Sequence, residues 1–432
     1  MTMRNSASLE ATYLARTPNS AAFEARGLAS LPITSSRGIS FHPPYPVTID
    51  HAKGPFLHDI DGNRYIDLGS NFFSMIHGYA YQPITDAVTA QLARGSVWSA
   101  NNAPQVDLAE QIVARVPSIE KVLFNNSGTE AFNLALNICR GATGRYKFLM
   151  AEGGYHGSMF DPSLGSKGLP GPSHFVAPYG TDAFVAAIRA HGSHLAGVFV
   201  EGIMGSGAFA QAEPGFFDKV KQACAEVGTV FVLDEVISLR VAEGGYQSLA
   251  GITPDLTMMG KIIGGGFPIG GVGGRKDLMD LTNPSTGHVL ASGTFSGNPL
   301  SMVAGGLSVR HLTQAKIDQI GAWATRIEAA IVAKCAAIGL KVWTRRVGSL
   351  VAWFFHDPGP GVVYGGTRPD LAMVKRHQLA MLVSGLFPTP RAALATSTAM
   401  SDALVDEIIE RIGASFDALL ADPATETALA RT

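Results

Sequence analysis

Phe217-Asp218-Lys219-Val220-Lys221-Gln222-Ala223-Cys224-Ala225-Glu226-Val227, followed by Thr229-Val230-Phe231-Val232-Leu233-Asp234-Glu235, decides the fold. The first part carries Phe217, Val220, Cys224 and Val227 at the three-and-four spacing of an amphipathic helix. The second is a short run of β-branched and aromatic residues, the text of a strand buried on both faces of a parallel sheet. The same alternation recurs upstream. Lys147-Phe148-Leu149-Met150 and Gly197-Val198-Phe199-Val200-Glu201 read as strands, and Glu130 to Arg140 reads as a helix. Strand and helix in turn define an α/β domain with a mostly parallel sheet.

We expect this large domain over residues 60–310. Residues 1–59 and 311–432 are expected to build one smaller α+β domain from both ends of the chain. The C-terminal text supports this with a long helix (Ile317 to Ile338), strand text (Val347 to Phe355), a further helix and a last helix from Ser401. A chain of 432 residues suits such a division.

Composition excludes several classes. Thirty-three basic residues against 35 acidic ones leave no global field for nucleic acid or anionic lipid. Cys139, Cys224 and Cys335 lie far apart with no metal-ligand spacing, so we expect reduced thiols and no metal. The start, Met1-Thr2-Met3-Arg4-Asn5-Ser6, lacks the apolar core of a signal peptide, and no apolar run spans a bilayer. A cytoplasmic location is expected, with no nucleic-acid or membrane partner.

Five motifs carry candidate chemistry. In Phe124-Asn125-Asn126-Ser127-Gly128-Thr129-Glu130-Ala131 a strand ends and a helix begins. Unpaired N–H groups at a helix start attract phosphate, Gly128 permits close approach, and the Ser127 and Thr129 hydroxyls add donors. The same text also reads as a plain helix N-cap. Glu152-Gly153-Gly154-Tyr155-His156-Gly157 follows a strand, where Tyr155 can stack on a planar ring or simply cover a glycine turn. Asp234 closes a buried strand and needs a partner, for which a protonated ring nitrogen is suitable, or else caps a helix or loop with Glu235. Val236, two residues on, points to the same side.

The fourth motif is Met258-Met259-Gly260-Lys261-Ile262-Ile263-Gly264-Gly265-Gly266. Its glycines follow the lysine, so it is not a nucleotide-binding loop, whose glycines come first. Apolar flanks argue for a buried Lys261 with a lowered pKa, suited to forming a Schiff base. An amine that captures a carbonyl and an acid that holds a pyridinium are what pyridoxal phosphate requires of a protein. Ser292-Gly293-Thr294-Phe295-Ser296-Gly297-Asn298-Pro299 is a fifth stretch, either a phosphate contact or a turn.

In order and spacing these motifs, with Asp61-Gly62-Asn63-Arg64-Tyr65-Ile66-Asp67 and Thr253-Pro254-Asp255, resemble the class III aminotransferases. That fold-type I pyridoxal-phosphate family includes glutamate-1-semialdehyde aminomutase and β-amino-acid aminotransferases. The resemblance implies that Lys261 binds the cofactor covalently and shuttles a proton, and that Asp234 pairs with its ring nitrogen. Tyr155 and Val236 would sandwich the ring. Ser127, Gly128 and Thr129 would hold the phosphate with Thr294 from a neighbouring subunit, which implies a homodimer with shared sites.

Three stretches depart from the family pattern: Gly202 where proline is common, Ile237-Ser238-Leu239-Arg240, and Tyr79-Ala80-Tyr81-Gln82. These departures concern the substrate pocket. Arg37 and Arg391 resemble the family's carboxylate binders, since a guanidinium fork fits a carboxylate; each also reads as a surface arginine. Arg345 and Arg346 are further candidates. Phe41, Tyr45, Phe72, Phe73 and Trp98 can line a pocket for a bulky side chain or belong to the core.

The expected reaction moves an amino group from an amino acid, a β-amino acid in particular, or an amine to a 2-oxo acid. An aminomutase or racemase is the alternative on the same residues, and a non-catalytic cofactor-binding protein is a third reading.

Overall fold

A computed structural model describes residues 8–158, 173–362 and 368–425. The Met1 to Ser6 start therefore lies outside the described residues.

Fourteen strands form three sheets among these residues. In chain order they are β1 (Ile49–Lys53), β2 (Phe56–Asp59), β3 (Arg64–Asp67), β4 (Lys121–Asn125), β5 (Lys147–Ala151), β6 (His174–Ala177) and β7 (Leu195–Glu201). Then come β8 (Val230–Asp234), β9 (Leu256–Gly260), β10 (Gly270–Gly274), β11 (Trp343–Val347), β12 (Leu350–Phe354), β13 (Leu386–Phe387) and β14 (Ala393–Ala395). The central sheet has seven strands in the order β4-β10-β9-β8-β7-β5-β6. Only β10 runs antiparallel, against both β4 and β9, so β4 points the same way as the parallel strands β5 to β9.

The expected strands stand where their apolar runs placed them, and every residue of β7 and β8 is buried. Side chains alternate between two cores. Phe148, Met150, Phe199 and Val232 face the helix Gly128–Thr143, packing on Phe132, Ala135 and Ile138. Leu149, Val198, Val200, Phe231 and Leu233 face Phe184, Phe216 and Val220 on the other side. This period-two division is the physical content of an apolar run without polar alternation.

The glycine-rich β10 was legible as glycine but not as strand. A Cβ on Gly270 would fall 2.0 Å from the Ser127 carbonyl oxygen, and one on Gly273 would fall 2.7 Å from Ile119. The missing side chains let this antiparallel strand slot between β4 and β9.

The C-terminal part forms the sheet β11-β12-β14, with Gly348 at the β11–β12 turn (φ 52°). The helix Gln314–Ala337 packs Ile317, Ile320, Ala324, Ile327 and Ile331 against it and against Phe416 of the helix Asp402–Ala421. Ser401 caps that last helix by accepting from the Leu404 N–H at 3.2 Å. The hairpins of β1 to β3 join β13 in a third sheet, with β13 parallel to β3. The division expected at residue 60 falls inside this sheet, between β2 and β3.

Candidate active site

Because β4, β5, β7, β8 and β9 all point one way, their carboxyl ends open on a common edge. That edge collects Asn126-Ser127-Gly128 after β4, Gly153 to Gly157 after β5, Glu201 at the end of β7, Asp234 at the end of β8, and Lys261 after β9. Residues far apart in sequence thus converge where α/β sheets bind ligands.

Asp234 is buried, and its Oδ2 lies 2.8 Å from His156 Nδ1, while Oδ1 accepts the Val236 N–H at 2.9 Å. The His156 ring stacks on Phe132 with centroids 5.9 Å apart. Glu201 pairs in register with Asp234 across β7 and β8. Burial first, then the Asp234 charge, pushes the Glu201 carboxyl up to about 7; His156 and two backbone N–H groups oppose the rise.

Lys261 keeps partial accessibility and adopts φ 50°, a left-handed conformation that is uncommon for a residue with a Cβ and clusters at functional sites. Desolvation holds its ammonium below the ordinary lysine range, with Asp234 and Glu201 opposing and Arg391 reinforcing the shift. An amine so placed has more of its neutral, nucleophilic form near neutrality.

The helix Gly128–Thr143 begins at this edge. Ser127 Oγ accepts the Glu130 N–H at 3.1 Å, and Glu130 reaches back to the Asn126 N–H at 2.6 Å. The N-cap reading of Ser127 is therefore correct, and its hydroxyl proton remains to donate to an anion. Gly157 lies against Thr129, where a Cβ would come 2.6 Å from Oγ1. Val236 lines the edge between Gly128 and Gly260, whose added Cβ atoms would meet its methyls at 3.6 and 3.4 Å. Tyr155 is 39% exposed. These groups offer a buried acid for a protonated ring nitrogen, an amine for a carbonyl, hydroxyls at a helix start for a phosphate, and flat apolar room beside Val236. That donor set fits pyridoxal phosphate.

Thr294 stands apart from this group on an exposed loop, although neighbouring Gly293 approaches Asn126 (3.7 Å from an added Cβ to Nδ2). Arg391 donates to the Gly205 carbonyl at 3.3 Å, and its charge acts on Lys261, which places its guanidinium at the site. Its backbone is seated by Arg368, which donates to the Arg391 carbonyl at 2.7 Å and pairs with buried Asp370. Arg37 donates to Asn71 Oδ1 at 2.6 Å and lies over the Phe72 ring at 5.6 Å. Asn71 and Phe72 belong to a turn in which Ser70, Asn71, Phe72 and Phe73 all have positive φ.

Arg345 and Arg346 are engaged elsewhere, with the carbonyls of Gly359 and Gly361 and with Glu328. Among the aromatics, Tyr45 and Phe73 are core, whereas Phe41, Phe72 and Trp98 keep accessible surface.

The glycine at position 202 has a packing reason. An added Cβ on Gly202 would lie 2.6 Å from the Tyr246 ring. Arg240 is fully buried, donating to the carbonyls of Phe73 and Thr396 and to Ser349 Oγ.

Sequence reasoning missed His156 and Glu201. His156 sits beside Tyr155 in a quoted motif, and Glu201 ends a strand as Asp234 does, so both carried a signal. Among the described residues no acidic, histidine or cysteine group could hold a metal. No described helix is long and apolar enough to cross a membrane.

A parallel sheet with a lysine, a carboxylate and a helix start on its carboxyl edge defines a pyridoxal-phosphate-dependent transferase. Residues 40–165 and 177–412 match the model of the family described as aminotransferase class-III. A glutamate-1-semialdehyde 2,1-aminomutase from Myxococcus xanthus is 35% identical over 386 residues, covering 84% of this chain and 88% of that protein. Among solved structures, an omega-transaminase from Sphaerobacter thermophilus is 32% identical with a TM-score of 0.86, covering 94% of this chain and 99% of that one. A β-phenylalanine aminotransferase from Variovorax paradoxus is 30% identical with a TM-score of 0.88, covering 96% and 97%. The chain belongs to the class III aminotransferases and is a pyridoxal-phosphate-dependent transaminase of the fold-type I architecture.

Proposed function

We propose that this enzyme transfers the amino group of a β-amino acid to a 2-oxo acid, with Arg391 and Arg37 receiving substrate carboxylates. The observation that carries this is the position of Arg391, whose charge reaches Lys261 while its guanidinium meets the Gly205 carbonyl. A cation whose charge acts on the reacting amine favours an anionic substrate over a simple amine. Arg37, anchored by Asn71, supplies a second cation on a separate loop. The likeness to a β-phenylalanine aminotransferase supports the β-amino acid.

Pyridoxal phosphate, when bound, supplies the electrophilic carbonyl and the electron sink. Lys261 Nζ would hold it and would move the proton on and off the amine-bearing carbon. The Asp234 carboxylate keeps the ring nitrogen protonated, and His156 orients that carboxylate. Val236 and Tyr155 would flank the ring. Ser127, Gly128 and Thr129 bind the phosphate, with Thr294 contributed by a second copy in a homodimer. The exposed apolar Leu290 and Phe295 flanking Thr294 support such an interface. The chain works in the cytoplasm, consistent with three free, buried cysteines.

Holoenzyme absorbance followed with α-, β- and ω-amino acids and simple amines, then with 2-oxo acids, tests the substrate. The β-amino acid is expected to give the fastest half-reaction, and Arg391→Ala to lose most of that preference. A simple amine reacting as well as any amino acid would refute the assignment.

A second reading is favoured by the 33% and 35% identity to aminomutases. It predicts turnover of a single amino-aldehyde substrate with no 2-oxo acid present.

A further inference from the structure

Glu201 has a place in the site that the roles above leave unused. It ends β7 with both carboxylate oxygens taken by backbone N–H groups from two different loops. Oε1 accepts from Tyr155 at 3.0 Å, and Oε2 accepts from Gly205 at 2.8 Å. The first loop carries Tyr155, the tyrosine proposed above to flank the ring. The second turns the Gly205 carbonyl toward Arg391, whose Nη1 donates to it at 3.3 Å. The residue is 5% exposed, so these bonds are not in exchange with water.

We propose that Glu201 is a positioning residue that couples cofactor stacking to substrate-carboxylate recognition, by holding with one carboxylate the Tyr155 loop and the Gly205 loop whose carbonyl meets Arg391. The inference rests on the reading of Arg391 as the carboxylate receptor. An ionised carboxylate accepts strongly from both loops at once, whereas a protonated acid keeps one oxygen only as a poorer acceptor and weakens its hold on one of them.

The groups that face Glu201 determine when this happens. Asp234 lies beside it in register, His156 bonds Asp234, and Lys261 feels both carboxylates. Tyr179 donates its hydroxyl to the backbone carbonyls of Glu201 and Gly202, and Arg391 stands behind Gly205. With its carboxyl pushed up to about 7, Glu201 is ionised above neutrality and takes a proton below it. Seating of Arg391 is thus tighter at pH 8 than at pH 6.

Glu201→Gln keeps the shape but fixes one oxygen as a donor. At pH 8 its KM for a carboxylate-bearing amino acid is expected to rise about tenfold, the scale of one charge-assisted contact. Its KM for a carboxylate-free amine should stay at the parent value. The parent's KM for the amino acid should rise toward the variant's as pH falls to 6, while the variant's stays flat. Amide exchange in the peptides carrying Tyr155 and Gly205 should quicken in the variant, with or without cofactor.

Parent-like KM and exchange in Glu201→Gln at pH 8, with Arg391→Ala impaired, would overturn the inference alone. A parent-like Arg391→Ala would overturn the carboxylate assignment beneath it. Equal KM changes for amine and amino acid would also overturn the coupling, leaving Glu201 a merely structural residue. Should the variant fail to fold, the parent's own KM profile decides: a KM equal at pH 6 and pH 8 is the refuting result.

Discussion

Gly270→Ala places one methyl where the structure has no room for it, and the consequence reaches the cofactor site. The added Cβ would lie 2.0 Å from the Ser127 carbonyl oxygen and 2.5 Å from Asn125 Oδ1, against a practical minimum of 3.0 Å. Relief therefore requires a shift of about 1 Å between β10 and the end of β4. The Ser127 carbonyl accepts the Ala131 N–H at 3.0 Å, the first bond of the helix Gly128–Thr143, and a shift of that size breaks it. Overpacking of about 1–3 kcal/mol and a lost hydrogen bond of about 0.5–1.5 kcal/mol together predict destabilisation of about 1.5–4.5 kcal/mol. The same shift moves the Gly128 and Thr129 N–H groups, so cofactor affinity should fall by at least tenfold.

Melting of apoenzyme and holoenzyme, with the cofactor dissociation constant from fluorescence quenching, measures both effects. Gly321→Ala is the matched control: it sits in the helix Gln314–Ala337 with nothing closer than 3.9 Å to an added Cβ. It should stabilise by about 0.5–1 kcal/mol. A Gly270→Ala protein that melts with the parent and binds cofactor equally well would refute the close-packing account of β10.

Asp234→Asn removes the charge that faces the ring nitrogen and leaves His156 without its anion; single-turnover rates should fall about 10²–10³-fold, and a fall of less than tenfold would contradict the assignment. His42 and His77 are buried, and desolvation lowers each to about 4. The unfolded chain takes up these protons below about pH 6.5 while the folded chain does not, so stability is full above that pH and is lost as pH falls toward 4. Each contributes up to about 3 kcal/mol to that loss; thermal melts of the parent and His77→Gln between pH 7 and 4 should show a shallower decline in the variant.

Much of the site was readable because its residues sit at punctuation marks in the chain. Asp234 ends an apolar run, Lys261 precedes glycines, and Ser127 to Thr129 join a strand to a helix. Each such junction exposes a side chain at a strand's carboxyl end, whatever the rest of the fold does. The strand β10 was not readable, since residues without side chains have no hydrophobic period. The partnership of β3 with β13 was equally hidden, because two strand residues near position 386 carry too little pattern to announce a pairing with residues 66 and 67.

By itself, then, the sequence determined the α/β alternation and the cofactor chemistry, and nominated the residues proposed to hold the cofactor, because local apolar period and junction chemistry are properties of neighbouring residues. Tertiary structure decided which of the candidate arginines stands near Lys261, and that His156 and Glu201 belong with Asp234. It also decided why Gly202 and Gly270 must lack side chains. Those facts depend on distances between strands far apart in the chain, and on burial, which changes the charge a carboxyl or an amine carries. Neither quantity is written in any one segment.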